Sequence, residues 1–115
     1  MPPPDQYIDK ACALERLDGD ADLFREIVEI FLDDAPRIFL ALKQARSDRD
    51  QKTSERQAHS LKGASANVGA IHLQAISVKA EEAARTGDWM GLESLLPDME
   101  ESLHTSMDAL RDCIG

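Results

Sequence analysis

The sequence is short of positive charge. It carries 13 Lys and Arg against 22 Asp and Glu, a formal net charge of −9 over 115 residues. Phosphate binding along a nucleic acid needs a basic face, so nucleic acid is excluded as a partner. An anionic membrane surface is excluded for the same reason. Aromatics make up only 4% of the chain, and β-branched strand formers are few, so little favours a sheet. Cysteine is nearly absent. Cys12 and Cys113 lie near opposite ends, with no CxxC spacing and no histidines at zinc-site spacing. They read as two small buried hydrophobes in a reducing compartment. No apolar run is long enough to span a bilayer, and no secretory h-region appears, so the expected location is cytoplasmic. No P-loop and no Gly-rich loop after a strand is present, so the chain is not expected to take phosphate from ATP itself.

What is present is Leu, Ile, Ala, Glu and Asp in helical rhythm. The first residues, MPPPDQ, cannot enter a helix interior, and residues 1–7 read as a flexible leader. A domain is expected over 8–115, beginning with a short helix from Ile8 to Leu17. Asp18-Gly19-Asp20 stops that helix and caps the next. The second helix runs from Ala21 to Ala45, with Phe24, Ile27, Val28, Phe31, Ala35, Ile38, Leu42 and Ala45 on one stripe. Pro36 falls inside it and predicts a kink near Asp33, not a stop, because the stripe continues in phase. A third helix spans Gln51 to Val68, with Gly69 just past its end. A fourth spans Ile71 to Arg85, with Leu73, Ile76, Ala80 and Ala83 inward. A fifth spans Trp89 to Asp112, where Pro97 predicts a bend or a later start. Four long amphipathic stripes with short connections make an all-α, antiparallel four-helix bundle with the short helix added at one end.

The stretch AHSLKGASANVGA, Ala58 to Ala70, sits oddly on such a helix. At roughly 100° per residue, Leu61, Ala64 and Val68 fall roughly 140–200° from His59, on the core side. Lys62, Gly63 and Ala66 fall within roughly 60° of His59. An outward imidazole therefore has a lysine one turn on and a nearly bare strip beside it. A neutral imidazole in water is a good nucleophile, and its ordinary pKa of about 6.5 leaves it mostly neutral near pH 7. Attack on phosphorus would give a phosphoramidate. Lys62 would offset phosphoryl charge. Gly63 and Ala66 would clear room for another protein's active site. Gly in an exposed helix interior costs about 1 kcal/mol relative to Ala, a cost that a need for bare backbone would justify.

His59 to Ala70, HSLKGASANVGA, closely resembles the signature of histidine-containing phosphotransfer (HPt) domains, the relay modules of multistep two-component signalling. LERLDGDADLFREIVEIFLDDAP, Leu14 to Pro36, resembles the family's first-to-second helix segment, mid-helix proline included. Ala80-Glu81 stands where the family has an apolar-acidic pair, with Ala smaller than the usual Leu. The resemblance implies that His59 is the phosphorylated histidine, Lys62 its charge partner and Gly63 the clearance for a receiver domain. It further implies that Glu81 orients the imidazole, holding Nδ1 and freeing Nε2. The implied partners are receiver domains of response regulators, a hybrid sensor histidine kinase, or both. No cofactor is expected on this chain, and Mg²⁺ is expected on the receiver.

Two rival readings come from other classes. Glu101 and His104 form an E-x-x-H, half of a di-iron pattern, but neither His59 nor His72 has a Glu three residues earlier, and Glu101 faces solvent, so no metal is expected. The alternative to phosphotransfer is a helical interaction module that docks a signalling partner without carrying phosphate. No second apolar stripe is evident on a helix back, so a monomer is expected. Met1 and the short leader favour a free-standing carrier over an excised kinase domain.

Overall fold

The structure is a computed structural model that describes residues 7–10, 14–15 and 17–114. Four helices follow one another: α1 Ala21–Ser47, α2 Gln51–Val68, α3 Ile71–Arg85 and α4 Trp89–Ile114. They form an all-α four-helix bundle, and no strand occurs among the described residues. At about 1.5 Å per residue, the 27 residues of α1 account for the 40 Å length of the molecule. Ahead of α1, Lys10, Leu14 and Glu15 are helical, where the short first helix is expected. Cys12 and the proline-rich residues 1–6 lie outside the described residues.

The boundaries have local causes. Asp20 Oδ1 accepts the Leu23 N–H at 3.0 Å and caps α1. Asp50 does the same for α2: it accepts the Thr53 N–H at 3.1 Å and the Thr53 hydroxyl at 2.7 Å. Gly69 ends α2 at φ 73°, a left-handed conformation that Gly adopts without a Cβ clash. Asp88 Oδ1 accepts the Gly91 N–H at 2.9 Å at the start of α4. Pro36 and Pro97 both lie within continuous helices, and α4 starts at Trp89 despite Pro97.

The core is a single cluster. Phe24, Val28, Phe31, Ala35, Phe39 and Leu42 of α1 meet Leu61 and Val68 of α2, Leu73 of α3, and Leu92, Met99, Leu103 and Leu110 of α4. Phe39 is buried and Ile38 only half-buried, so the α1 stripe passes through Phe39, a residue absent from the predicted set. Ala64, predicted on the core side, is only half-buried, because it borders the α1–α2 edge. Between α2 and α3 the buried residues are small: Ala58 and Ser65 on one helix, Ser77, Ala80 and Ala84 on the other. Small side chains allow close helix approach, and this seam is where the polar site forms.

Tyr7 and Asp9 are tied to the bundle. The Asp9 N–H donates to the Gly69 carbonyl at 2.7 Å. Tyr7, the last residue of the segment expected to be flexible, is 2% exposed, its ring centroid 4.5 Å from that of His72. No helix among the described residues is long and apolar enough to cross a membrane.

Candidate functional site

The buried stripe of α2 runs through Ser54, Ala58, Leu61, Ser65 and Val68. Stepping one residue on from Ala58 and Leu61 turns roughly 100° around the helix, which brings His59 and Lys62 to the edge facing α3. On α3 the same step from buried Ala80 brings Glu81 to the opposing edge. The three side chains meet there.

Glu81 is the centre of the group. Its Oε2 lies 2.8 Å from His59 Nδ1, and its Oε1 accepts a hydrogen bond from Lys62 Nζ at 2.8 Å. The Lys62 hydrogen bond holds the Glu81 carboxyl below the usual carboxylate range; desolvation opposes this, and the His59 bond and the charges of both partners add to it. Glu81 is therefore ionised near neutral pH, and an ionised carboxylate only accepts. It follows that Nδ1 carries the proton and donates it to Glu81. In the neutral ring Nε2 then has a free lone pair. The His59 side chain is 65% exposed, while that of Glu81 is 22% exposed. The imidazole stands in water and the carboxylate that holds it is largely covered.

Of the residues expected at the site, the structure brings His59, Lys62 and Glu81 into direct contact. Lys62, expected to offset phosphoryl charge beside the ring, places its ammonium 2.8 Å from Glu81 Oε1, and its side chain is 31% exposed. Gly63 is exposed, and a Cβ built there meets nothing within 4 Å. Nothing among the described residues demands a glycine at that position. Ala66 is half-buried, two turns along the same strip as His59.

Other charges around His59 were not anticipated. Lys52, Glu55 and Arg56 line one open depression of about 280 Å³ together with His59 and Glu81. Their spacing from His59, seven, four and three residues back, is the helical signal that marks them in the sequence. On the α1 side of the same helix an open groove of about 390 Å³ is walled by Ile27, Ile30, Phe31 and Ile38 of α1 and by Ser60, Ala64 and Val68 of α2. Ile30 is 60% exposed, so α1 carries apolar surface at the rim of this groove.

The remaining histidines stand apart. His72 Nδ1 is 2.8 Å from Ser102 Oγ. His104 and Glu101 are both exposed, and among the described residues no group of three or more His, Cys, Asp or Glu is placed to hold a metal ion.

Comparison with known proteins bears on this geometry. The sequence model of the Hpt domain matches residues 26–113. The fold matches the crystal structure of histidine-containing phosphotransfer protein B (HptB) from Pseudomonas aeruginosa PAO1, with a TM-score of 0.85, 24% identity and 92% of each chain covered. No curated protein sequence matches the chain.

Proposed function

The chain belongs to the Hpt domain family, and on that premise we propose that His59 is its phosphoryl acceptor. As a member of the family it is a histidine phosphotransfer protein, a phosphocarrier without kinase chemistry of its own, and its partners are receiver domains. The observation that carries the assignment to His59 is the bond from its Nδ1 to Glu81 at 2.8 Å, on a ring that is otherwise in water.

The step balances without a base. Nε2 attacks the phosphorus of a receiver's aspartyl phosphate in line. The N–P bond forms as the acyl O–P bond breaks, and the aspartate leaves as carboxylate. The imidazole keeps its Nδ1 proton and becomes cationic, a charge that Glu81 faces directly. Return to a second receiver reverses the sequence. Lys62 holds Glu81 in place and adds positive charge near the ring. Gly63 and Ala66 leave the strip beside His59 low, and the apolar groove along α1 offers the receiver a surface to bury.

The test is to mix the protein with a phosphorylated cognate receiver and map the label. Acid-labile, base-stable phosphate on the His59 peptide, lost in His59→Gln, supports the assignment. Label that stays off that peptide sinks it.

A further inference from the structure

Lys62 makes its bond to Glu81 on the α3 side of the imidazole. The other side of the ring is where a phosphoryl group must go, because Nδ1 is held at Glu81 and Nε2 is the edge left open. Around α2, with His59 at zero, Lys62 lies roughly 60° toward α3, while Arg56 lies roughly 60° and Lys52 roughly 20° toward α1. Side chains on a helix lean toward its N-terminus, so the His59 ring lies over the turn that contains Arg56. The depression that His59 shares with Arg56 and Lys52 agrees with that lean. Neither Lys52 nor Arg56 makes an ion pair among the described residues. The Asp50 carboxyl is held below the usual carboxylate range chiefly by its hydrogen bonds from Thr53, with the charge of Arg56 adding to them. Glu55 and Glu81 line the same depression, and both also line the neighbouring one with Lys62.

From this arrangement we infer that Arg56 is the cation that binds the phosphoryl oxygens on His59, with Lys52 behind it. Lys62 serves the anchor rather than the phosphate. A guanidinium presents its donors in a planar fork that fits two phosphoryl oxygens at once, and it stays charged at any working pH. In a protein of net charge −9, a local cation pair beside the acceptor also offsets the repulsion that a phosphoryl dianion would meet.

The inference rests on His59 being the acceptor, and the experiment separates the two. Wild type, Arg56→Gln and Arg56→Lys are phosphorylated from phosphoramidate, a small donor that needs no docking surface, and in parallel from a phosphorylated receiver. The expected result is a fall of about three- to tenfold in both rates for Arg56→Gln, with only part of the loss restored in Arg56→Lys, which keeps the charge but not the planar fork. The phosphoryl resonance in ³¹P NMR should also titrate at higher pH in Arg56→Gln, because a neighbouring cation favours the dianion. If Arg56→Gln matches wild type with both donors, Arg56 does not bind the phosphoryl group. If only the receiver-driven rate falls, Arg56 docks the partner and the inference is overturned. Absence of phosphohistidine in the wild type itself removes the acceptor assignment, whatever Arg56 does.

Discussion

Replacing Gly63 by alanine should make the free protein more stable and the relay slower. Gly63 lies well inside α2, is exposed, and has open space where a Cβ would stand. Alanine there gains about 1 kcal/mol in helix propensity and meets no neighbour. For a domain of this size the melting temperature should rise by about 4 °C. Thermal and urea unfolding followed by far-UV circular dichroism measure the gain. Gly63→Gln keeps a good helix former but fills the strip beside His59 with a long side chain. It should leave the protein folded, slow exchange with a phosphorylated receiver by about tenfold or more, and leave phosphorylation from phosphoramidate near wild type; a tenfold loss corresponds to about 1.4 kcal/mol of docking energy. A less stable alanine variant would show that the strip is not open. A glutamine variant that exchanges with receivers at the wild-type rate would show that the bare strip has no part in docking.

Other expectations concern the anchor and the core. Glu81→Ala removes the hydrogen bond to Nδ1 and should slow phosphorylation of His59 by about tenfold, with Glu81→Gln, which still accepts from Nδ1–H, intermediate; equal rates in all three proteins, measured by transfer kinetics, would remove Glu81 from the mechanism. The folded-state pKa of Glu81 is depressed, so its stabilising contact is present above the ordinary carboxylate range and is lost only as pH falls through the lowered value. Carboxyl ¹³C titration should therefore show Glu81 ionised at pH values where exposed glutamates are already protonated, and Lys62→Ala, which removes the main cause, should return it toward the ordinary range. Ser77 is fully buried and its hydroxyl has no partner among the described residues, so Ser77→Ala should be neutral or stabilising by urea unfolding, whereas Leu61→Ala, at a site of 0% exposure, should cost about 2–5 kcal/mol.

Local signals placed most of the fold. Gln51–Val68 ends at the residue where Gly69 predicts it, and Ile71–Arg85 fills the span expected after it, because a left-handed glycine acts within a turn of itself. Phe39 escaped because Ile38 and Phe39 both fit a helical stripe, and only packing against the other helices decides which one turns inward. The buried serines escaped for a different reason. Ser54, Ser65, Ser77, Ser102 and Ser106 read as polar positions, yet close helix contact selects for small size over polarity. At the site, His59 and Gly63 were legible from spacing along one helix. The Glu81 contact rested on resemblance alone, since no local pattern brings α3 against α2 in that register. The commitment of Lys62 to Glu81 depends on the distance between two helices, which periodicity along either one does not contain.

The central claim is that the imidazole of His59 is held at Nδ1 and reacts at Nε2. It is tested most directly by phosphorylating ¹⁵N-histidine-labelled protein and recording ¹H–¹⁵N and ³¹P–¹⁵N correlations. Phosphorus coupled to Nε2 of His59, with Nδ1 still protonated, is the predicted result. Phosphorus on Nδ1 of that ring, or on His72 or His104, would contradict it.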